Sequence, residues 1–264
     1  MPTPAALSDF AAFARLLAQA ARRETLDRAF TVENKESEGR FDPVTEADRG
    51  AEKVIRQLIE YRYPSHGIHG EEFPDRAAHS PWTWSLDPID GTRAYICGLP
   101  SWTTLIGLLE DGAPVLGLVD APRVGECYVG YGDRAVLTAG GAERPLRASG
   151  CASLAEARLS TTDPHLLSPS ELEGFERVRR AARVTRFGWD AYAYTRVAAG
   201  TIDLVIESGL KPHDYNALVP IVRAAGGAVA NWSGEPDLSH GRILAAASEE
   251  LLEEARILLS QALR

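Results

Sequence analysis

The sequence predicts an α/β protein in which helices are layered on sheets, and three observations carry that expectation. Both ends of the chain show apolar residues at helical spacing. A stretch from about residue 82 to about residue 131 is built of short β-rich runs separated by turn residues. Beyond about residue 150, strand and helix signatures alternate, the pattern of helices packed on sheets. With 264 residues, 45% hydrophobic and 25% charged, the chain has the composition of an ordinary globular protein, long enough for one large domain or two smaller ones.

The first helix runs from Pro4 to about Arg23, with Thr3 and Pro4 as start signals and Leu7, Phe10, Ala14, Leu17 and Ala18 on one face. A second starts near Thr45, aligns Ala47, Ala51, Val54, Ile55, Leu58 and Ile59, and is stopped by the turn residues of Tyr63–Gly67. Strands are expected at Trp82–Leu86, at Thr103–Leu109 and Val115–Val119 as a hairpin across Glu110-Asp111-Gly112, and at Glu126–Tyr131. A polar stretch from Gly140 to Ser153 suggests a boundary near residue 150, dividing the chain into subdomains 1–150 and 151–264. Then follow strand Arg158–Thr161, helices Glu171–Ala182 and Asp190–Ala199, strand Ile202–Glu207 and helix Asp214–Ala225. Strands Ala228–Asn231 and Ile243–Ala246 and a helix Glu249–Ala262 close the chain.

The formal charge of -9, from 28 basic and 37 acidic residues, argues against a nucleic-acid binder, which needs basic stripes to displace counterions. Three scattered cysteines (Cys97, Cys127, Cys151) build neither a disulfide framework nor a zinc site, and none has the arginine six residues on that a cysteine-phosphatase loop requires. The N-terminus lacks a signal-peptide layout, and charged residues interrupt the best apolar runs, so a cytoplasmic protein without membrane contact is expected.

The chemistry concentrates in Trp84-Ser-Leu-Asp87-Pro-Ile-Asp90-Gly-Thr92. An apolar strand delivers Asp87, Pro88 is expected to end its ladder, and Gly91 permits an abrupt change of direction. Two carboxylates three residues apart on such a turn can converge, and convergent like charges must be protonated or neutralised by cations. All-oxygen ligands favour Mg²⁺ first and Mn²⁺ second. Gly91 and Thr92 open the next element, where free N–H groups can receive a phosphate; a plain Asx-turn with solvated carboxylates is the competing account. Gly70-Glu71-Glu72 follows a turn, from which one glutamate can reach the same cation. Asp48 also fits a capping box with Thr45, and Asp214 also fits dipole compensation at a helix start.

Asp42-Pro-Val-Thr45-Glu-Ala-Asp48, Gly70-Glu71-Glu72, the Asp87–Thr92 segment and Lys211-Pro-His-Asp214, in that order, resemble the inositol monophosphatase superfamily of Mg²⁺-dependent, lithium-sensitive phosphomonoesterases. The resemblance runs from about residue 10 to residue 262 and implies the layered α-β-α-β-α sandwich of the inositol monophosphatase and fructose-1,6-bisphosphatase type. Gly188-Trp-Asp190-Ala-Tyr-Ala-Tyr194 and Asp203–Pro212 look most like the histidinol-phosphatase branch. By position, Glu71, Asp87 and the Ile89 carbonyl would hold one metal, and Asp87, Asp90 and Asp214 a second, with two or three Mg²⁺ per site. Asp48 and Thr92, the Thr92 hydroxyl donating to Asp48, would orient the attacking water, while Gly91 and Thr92 cradle the phosphate.

Glu207 matches the position that touches the substrate beyond the phosphate, and Asp190 stands where inositol phosphatases usually carry a small residue. Two carboxylates there suit a cationic leaving group such as histidinol, although Asp190 also fits as a cap of the helix that follows. The expectation is therefore a homodimeric histidinol-phosphatase of histidine synthesis acting on a small phosphomonoester. Inositol-1-phosphate or broader sugar and nucleotide phosphatase activity is the alternative, and a non-catalytic metal-binding scaffold is the rival of another class. Lys211 and Glu72 lie near the metal region without an assigned role. The Asp-x-Asp nucleophile of haloacid-dehalogenase phosphatases, a His-x-His pair, a Gly-x-Ser-x-Gly elbow and a Walker loop are all absent.

Overall fold

A computed structural model describes residues 3–26, 31–35 and 43–260; Met1, Pro2, Asp42 and the last residues of the expected closing helix lie outside them. The chain forms α1 (Pro4–Thr25), β1 (Val32–Asn34), β2 (Pro43–Thr45), α2 (Glu46–Arg62), β3 (Gly67–Gly70), β4 (Trp82–Asp90) and α3 (Thr92–Ile96). Five strands follow: β5 (Thr103–Glu110), β6 (Ala113–Ala121), β7 (Glu126–Tyr131), β8 (Arg134–Ala139) and β9 (Ala142–Pro145). The remainder is β10 (Arg158–Thr161), α4 (Pro169–Ala181), β11 (Val184–Phe187), α5 (Tyr192–Ala198), β12 (Leu204–Glu207), α6 (Pro212–Tyr215) and α7 (Leu218–Ala224). It closes with β13 (Ala228–Asn231), β14 (Ile243–Ala246) and α8 (Glu249–Ser260).

Strands β3 to β9 make a seven-stranded sheet in chain order, and a five-stranded sheet has the order β11-β10-β12-β14-β13. Three apolar clusters stack these into five layers. Leu7, Ala14 and Leu17 of α1 and Ala51, Ile55 and Ile59 of α2 pack with Trp84, Leu86, Ile106 and Leu118 on one face of the larger sheet. Leu105, Val119 and Tyr128 on its other face meet α5 and α7, which also cover Val205 and Ala245 of the smaller sheet. Phe175 of α4 and Leu251 and Ala255 of α8 cover that sheet's far side, against Leu159, Leu204 and Leu244. The period of two along β4 and β5 feeds both neighbouring layers. This is the layered α/β sandwich expected from the sequence. Among the described residues, no helix is long and apolar enough to cross a membrane.

Ser85, Gly107, Gly117 and Gly130 stand side by side on adjacent strands β4 to β7. The missing side chains leave a furrow in which the α6–α7 junction lies. A Cβ built on Gly117 would stand 1.8 Å from the Ala217 carbonyl oxygen, and one on Gly130 2.4 Å from the Ile221 Cα. The Asn216 amide donates to the Ser85 hydroxyl at 3.1 Å, fixing the junction along the furrow. This close approach brings the short helix carrying Asp214 down to the end of β4.

Several elements differ from the sequence expectation. Pro88 does not end the ladder: β4 pairs with β5 up to Asp87, slips register, and pairs again at Asp90 with Thr103. Proline lacks an N–H but keeps its carbonyl, which accepts from the Thr104 hydroxyl at 2.8 Å, so a bulge absorbs it. The single helix expected over Asp214–Ala225 is two, α6 and α7, broken at Asn216–Ala217 where the furrow holds the backbone. The helix expected from Asp190 begins at Tyr192, because Asp190 takes the left-handed conformation with φ 46°. Strands β1, β2, β3, β8, β9 and β11 and helix α3 lie where no periodic signal was read. They are short, three to six residues, and β9 and β11 are largely exposed, so neither burial nor alternation marks them.

Candidate active site

The site is assembled at the end of β4. The bulge at Pro88-Ile89 turns Asp87 and Asp90 toward one point, and the Ile89 N–H donates to the Asp87 carboxylate at 3.1 Å. Gly91 then takes φ 81°, a left-handed conformation that costs glycine nothing, and α3 starts at Thr92. A side chain at Gly91 would also collide with the substrate wall, since its Cβ would stand 3.0 Å from the Asp190 carboxylate. The first N–H groups of α3 have no intrahelical acceptor. The Thr92 hydroxyl donates to the Ile89 carbonyl at 3.1 Å. The expected donation from Thr92 to Asp48 is therefore not made in this arrangement.

Asp48 sits in the first turn of α2, buried, and the capping box offered for it from sequence is formed. Its carboxylate accepts the Thr45 N–H at 2.9 Å and the Thr45 hydroxyl, closing a capping box, and it also faces the acidic cluster. Burial pushes it up to about 6, against the pull of the Thr45 hydrogen bonds. Glu71 and Glu72 lie after β3, both ion-paired with Lys35, whose ammonium is 2.8 Å from Glu71. Burial would raise Glu71, but the Lys35 charge outweighs it and holds the carboxylate below its usual range; Glu72, with less help, is pushed up to about 7 by burial.

The loop bearing these glutamates is clamped to α2 by two residues one helical turn apart. Glu52 is fully buried, accepting the Arg56 guanidinium at 2.7 Å and the Glu72 N–H at 2.8 Å. Arg56 in turn donates to the Phe73 and Pro74 carbonyls at 3.0 and 3.1 Å. One helix thus fixes Asp48 directly and Glu71 through the peptide beside it.

Asp214 accepts the Lys211 N–H at 2.6 Å at the start of α6 and simultaneously enters the cluster. Carboxylate oxygens of Asp87, Asp90 and Asp214 lie within 4.8 Å of one another. Burial, and then the mutual repulsion of these groups, raises Asp87 and Asp90 well above the carboxylate range; burial raises Asp214. Convergent buried oxygens that resist ionisation when alone are the donor set of a hard divalent cation, which would pay for their charge.

A cavity of about 530 Å³ opens beside the cluster, running from Asp90 and Asp214 past Asp190 and Glu207 to Ser168 and Leu210. Glu207 accepts the Thr162 N–H and hydroxyl at 2.7 and 2.9 Å, and burial pushes it up to about 8. Asp190 is pushed up to about 6 by burial, with the Arg93 charge opposing. Its side chain does not cap α5, which has no side-chain cap; its carbonyl accepts from Ala193 instead, and the Ala191 N–H is taken by Asp90 at 2.7 Å.

Asp48, Glu71, Asp87, Ile89, Asp90, Gly91, Thr92 and Asp214 therefore gather around the end of β4, with Asp190 and Glu207 on the cavity wall beyond. Lys211 contributes its N–H to Asp214. Sequence reading missed Lys35, Glu52 and Arg56. The only signal for the last two was their spacing on a helix, which ordinarily marks a solvated ion pair. Lys35 carried none, because its partners lie 36 and 37 residues away.

With this geometry, the chain belongs to the inositol monophosphatase family, whose sequence pattern matches residues 6–263. It is thus a phosphatase of that superfamily, a class acting on small phosphate substrates. The bifunctional phosphatase IMPL2 of Arabidopsis thaliana chloroplasts is 40% identical over 243 residues, covering 88% of this chain and 68% of the plant protein. A histidinol-phosphatase of Chlorobaculum parvum is 34% identical, covering 89% and 90% of the two chains. Among solved structures, an inositol monophosphatase from Zymomonas mobilis superposes with a TM-score of 0.84 at 38% identity, covering 97% of this chain and 99% of that one.

Proposed function

We propose that this phosphatase is a Mg²⁺-dependent histidinol-phosphatase, releasing histidinol and phosphate as a step of histidine biosynthesis. The observation that carries the reading is Asp190, a half-buried carboxylate set 3.0 Å from the Cβ position of Gly91 and lining the cavity beyond the acidic cluster. Burial raises both Asp190 and Glu207, so the pair gains most from a cation beside it. Two carboxyls beside the leaving group favour an amine or imidazolium over a neutral polyol. The names of the relatives support both histidinol and inositol phosphates, and Asp190 tips the balance to the former.

In this reading Glu71, Asp87 and the Ile89 carbonyl hold one cation, and Asp87, Asp90 and Asp214 a second. Bound there, Mg²⁺, or Mn²⁺ in its place, supplies a water of lowered pKa and neutralises charge on the phosphoryl oxygens. Gly91 and Thr92 receive the phosphate through backbone N–H groups. Thr92 exchanges its Ile89 acceptor for Asp48, and that pair aligns the water for in-line attack. Asp190 and Glu207 hold the cationic end of the leaving group. A division at about residue 150, read from the polar stretch Gly140 to Ser153, a homodimer, implied by the resemblance, and a cytoplasmic setting belong to the same reading.

The test is phosphate release from histidinol phosphate, inositol-1-phosphate and a nucleotide 3′-phosphate, with Mg²⁺ and again with EDTA. Preference for histidinol phosphate, abolished by EDTA, is expected. Preference for inositol phosphate overturns the substrate, activity without metal overturns the chemistry, and no turnover on any substrate favours a metal-binding scaffold.

A further inference from the structure

Most polar side chains around the cavity are engaged, and among the described residues that line it Tyr194 has the one hydroxyl that is buried without a partner. Glu171 at the far end accepts the Ser208 hydroxyl and the Arg242 guanidinium, each at 2.7 Å, and Glu207 accepts from Thr162. Asp90 is held by the Ala191 N–H and Asp214 by the Lys211 N–H. Tyr194 also lines this cavity, one turn beyond Asp190 and only 3% exposed, and its hydroxyl is buried with no hydrogen-bond partner. Its surroundings are not apolar: the charges that act on it are those of Glu207, Asp90 and Asp214. The hydroxyl thus lies between the cluster proposed to hold metal and the wall proposed to hold the leaving group.

A buried hydroxyl without a partner destabilises the protein that carries it, and phenylalanine would fill the same space without that cost. Local rules broken in this way concentrate where a ligand completes the set. A tyrosine hydroxyl can donate or accept, so Tyr194 can pair with either kind of polar group on a ligand.

We propose that Tyr194 is a specificity-determining residue, its hydroxyl free of protein partners so that it can hydrogen-bond a polar group of the leaving alcohol. The proposal rests on the phosphomonoesterase reading but not on the choice of histidinol. The partner it implies is a polar group next to the ester. Inositol supplies one in its vicinal hydroxyl, which can accept from the tyrosine, and histidinol supplies one in its ammonium, which donates to the tyrosine oxygen. The unsubstituted ring of phenyl phosphate supplies neither.

Tyr194→Phe removes the hydroxyl alone. Three measurements on the full chain test the role: melting temperature without metal, Mg²⁺ affinity from the thermal shift on titration, and kcat/KM for histidinol phosphate, inositol-1-phosphate and phenyl phosphate. The variant should melt about 2–4 °C higher without metal, as one unsatisfied group is removed. Mg²⁺ affinity should stay within about twofold. The preferred substrate should lose about tenfold in kcat/KM, the worth of one hydrogen bond, while phenyl phosphate loses less than about twofold. Equal losses on all substrates would place the hydroxyl on the phosphate and overturn the proposal. Weakened Mg²⁺ binding would make it a partner of the metal ligands, and a lower melting temperature would mean that it has a structural partner; either also overturns it. If the unaltered protein hydrolyses no phosphomonoester, the functional reading itself fails. If it does and Tyr194→Phe matches it on every substrate, only this inference fails.

Discussion

Gly117→Ala is a one-methyl perturbation of the furrow, remote from the chemistry, that should disable the site. The added Cβ would stand 1.8 Å from the Ala217 carbonyl oxygen and 2.7 Å from its carbon, both backbone atoms that no rotamer change can move. A carbon–oxygen contact seldom closes below about 3.3 Å, so the α6–α7 junction must retreat by about 1.5 Å. Asp214 lies three residues before Ala217 and moves with it, away from Asp87 and Asp90. Overpacking of this kind costs about 1–3 kcal/mol, lowering the melting temperature by about 2–10 °C for a chain of this size. The larger effect is on function: a misplacement of about 1 Å at a catalytic group costs about a hundredfold in rate. Phosphate release under saturating Mg²⁺, with Mg²⁺ affinity from thermal shift, reads both. Gly112→Ala, whose Cβ meets nothing, carries a positive-φ strain that Gly117→Ala lacks, and so serves as a control for lost stability without a displaced Asp214. A folded Gly117→Ala protein with unaltered rate and Mg²⁺ affinity would refute the view that glycine at this register sets the position of Asp214.

Two further outcomes are expected. Asp190→Asn should raise KM for histidinol phosphate at least about tenfold while barely changing that for a neutral phosphomonoester, since one opposed charge is lost; equal changes in steady-state assays on both substrates would remove Asp190 from recognition. His66 accepts the Trp84 indole N–H on Nδ1 at 3.1 Å, and burial, with the Arg76 charge, pushes it down to about 4. Above pH 6.5 the imidazole is neutral folded and unfolded, so nothing is lost; as pH falls from 6.5 toward 4, only the unfolded chain takes the proton. Up to about 3 kcal/mol of stability should therefore disappear across that window. Melting curves at pH 7.5 and 4.5 check it, and His66→Gln should show a smaller drop between them; an identical drop would mean that other groups carry the acid sensitivity.

The helices and strands of the interior were legible because burial writes a period into the chain: Ala51, Ile55 and Ile59 of α2 face one layer, and Trp84 and Leu86 of β4 the same one. Edge elements such as β9 and β11 were not, because an exposed strand has no buried face to repeat. Asp87 and Asp90 were legible as a converging pair because Asp-Pro-Ile-Asp-Gly-Thr constrains its own backbone, whereas Glu71 and Asp214 were named as ligands through the resemblance. Sequence also posed false choices. Asp48 and Asp214 were each read as either a helix cap or a site residue; both carboxylates serve their caps, and that of Asp214 also converges with Asp87 and Asp90.

The sequence by itself determined the alternation of helices and strands, through local periodicity, and the family and the residue types of its site, through the resemblance of four short motifs. Only the tertiary structure decided how far apart the carboxylates stand. Asp48, Asp87 and Asp214 come from three separate elements, and their spacing depends on close approaches that no local rule encodes. The Glu52–Arg56 clamp fixes the Glu71 loop, and the furrow at Gly107, Gly117 and Gly130 sets the depth of α6. The same holds for the unpaired Tyr194 hydroxyl: a tyrosine in sequence is a core residue like any other, and its lack of a partner exists only once the layers have closed around it.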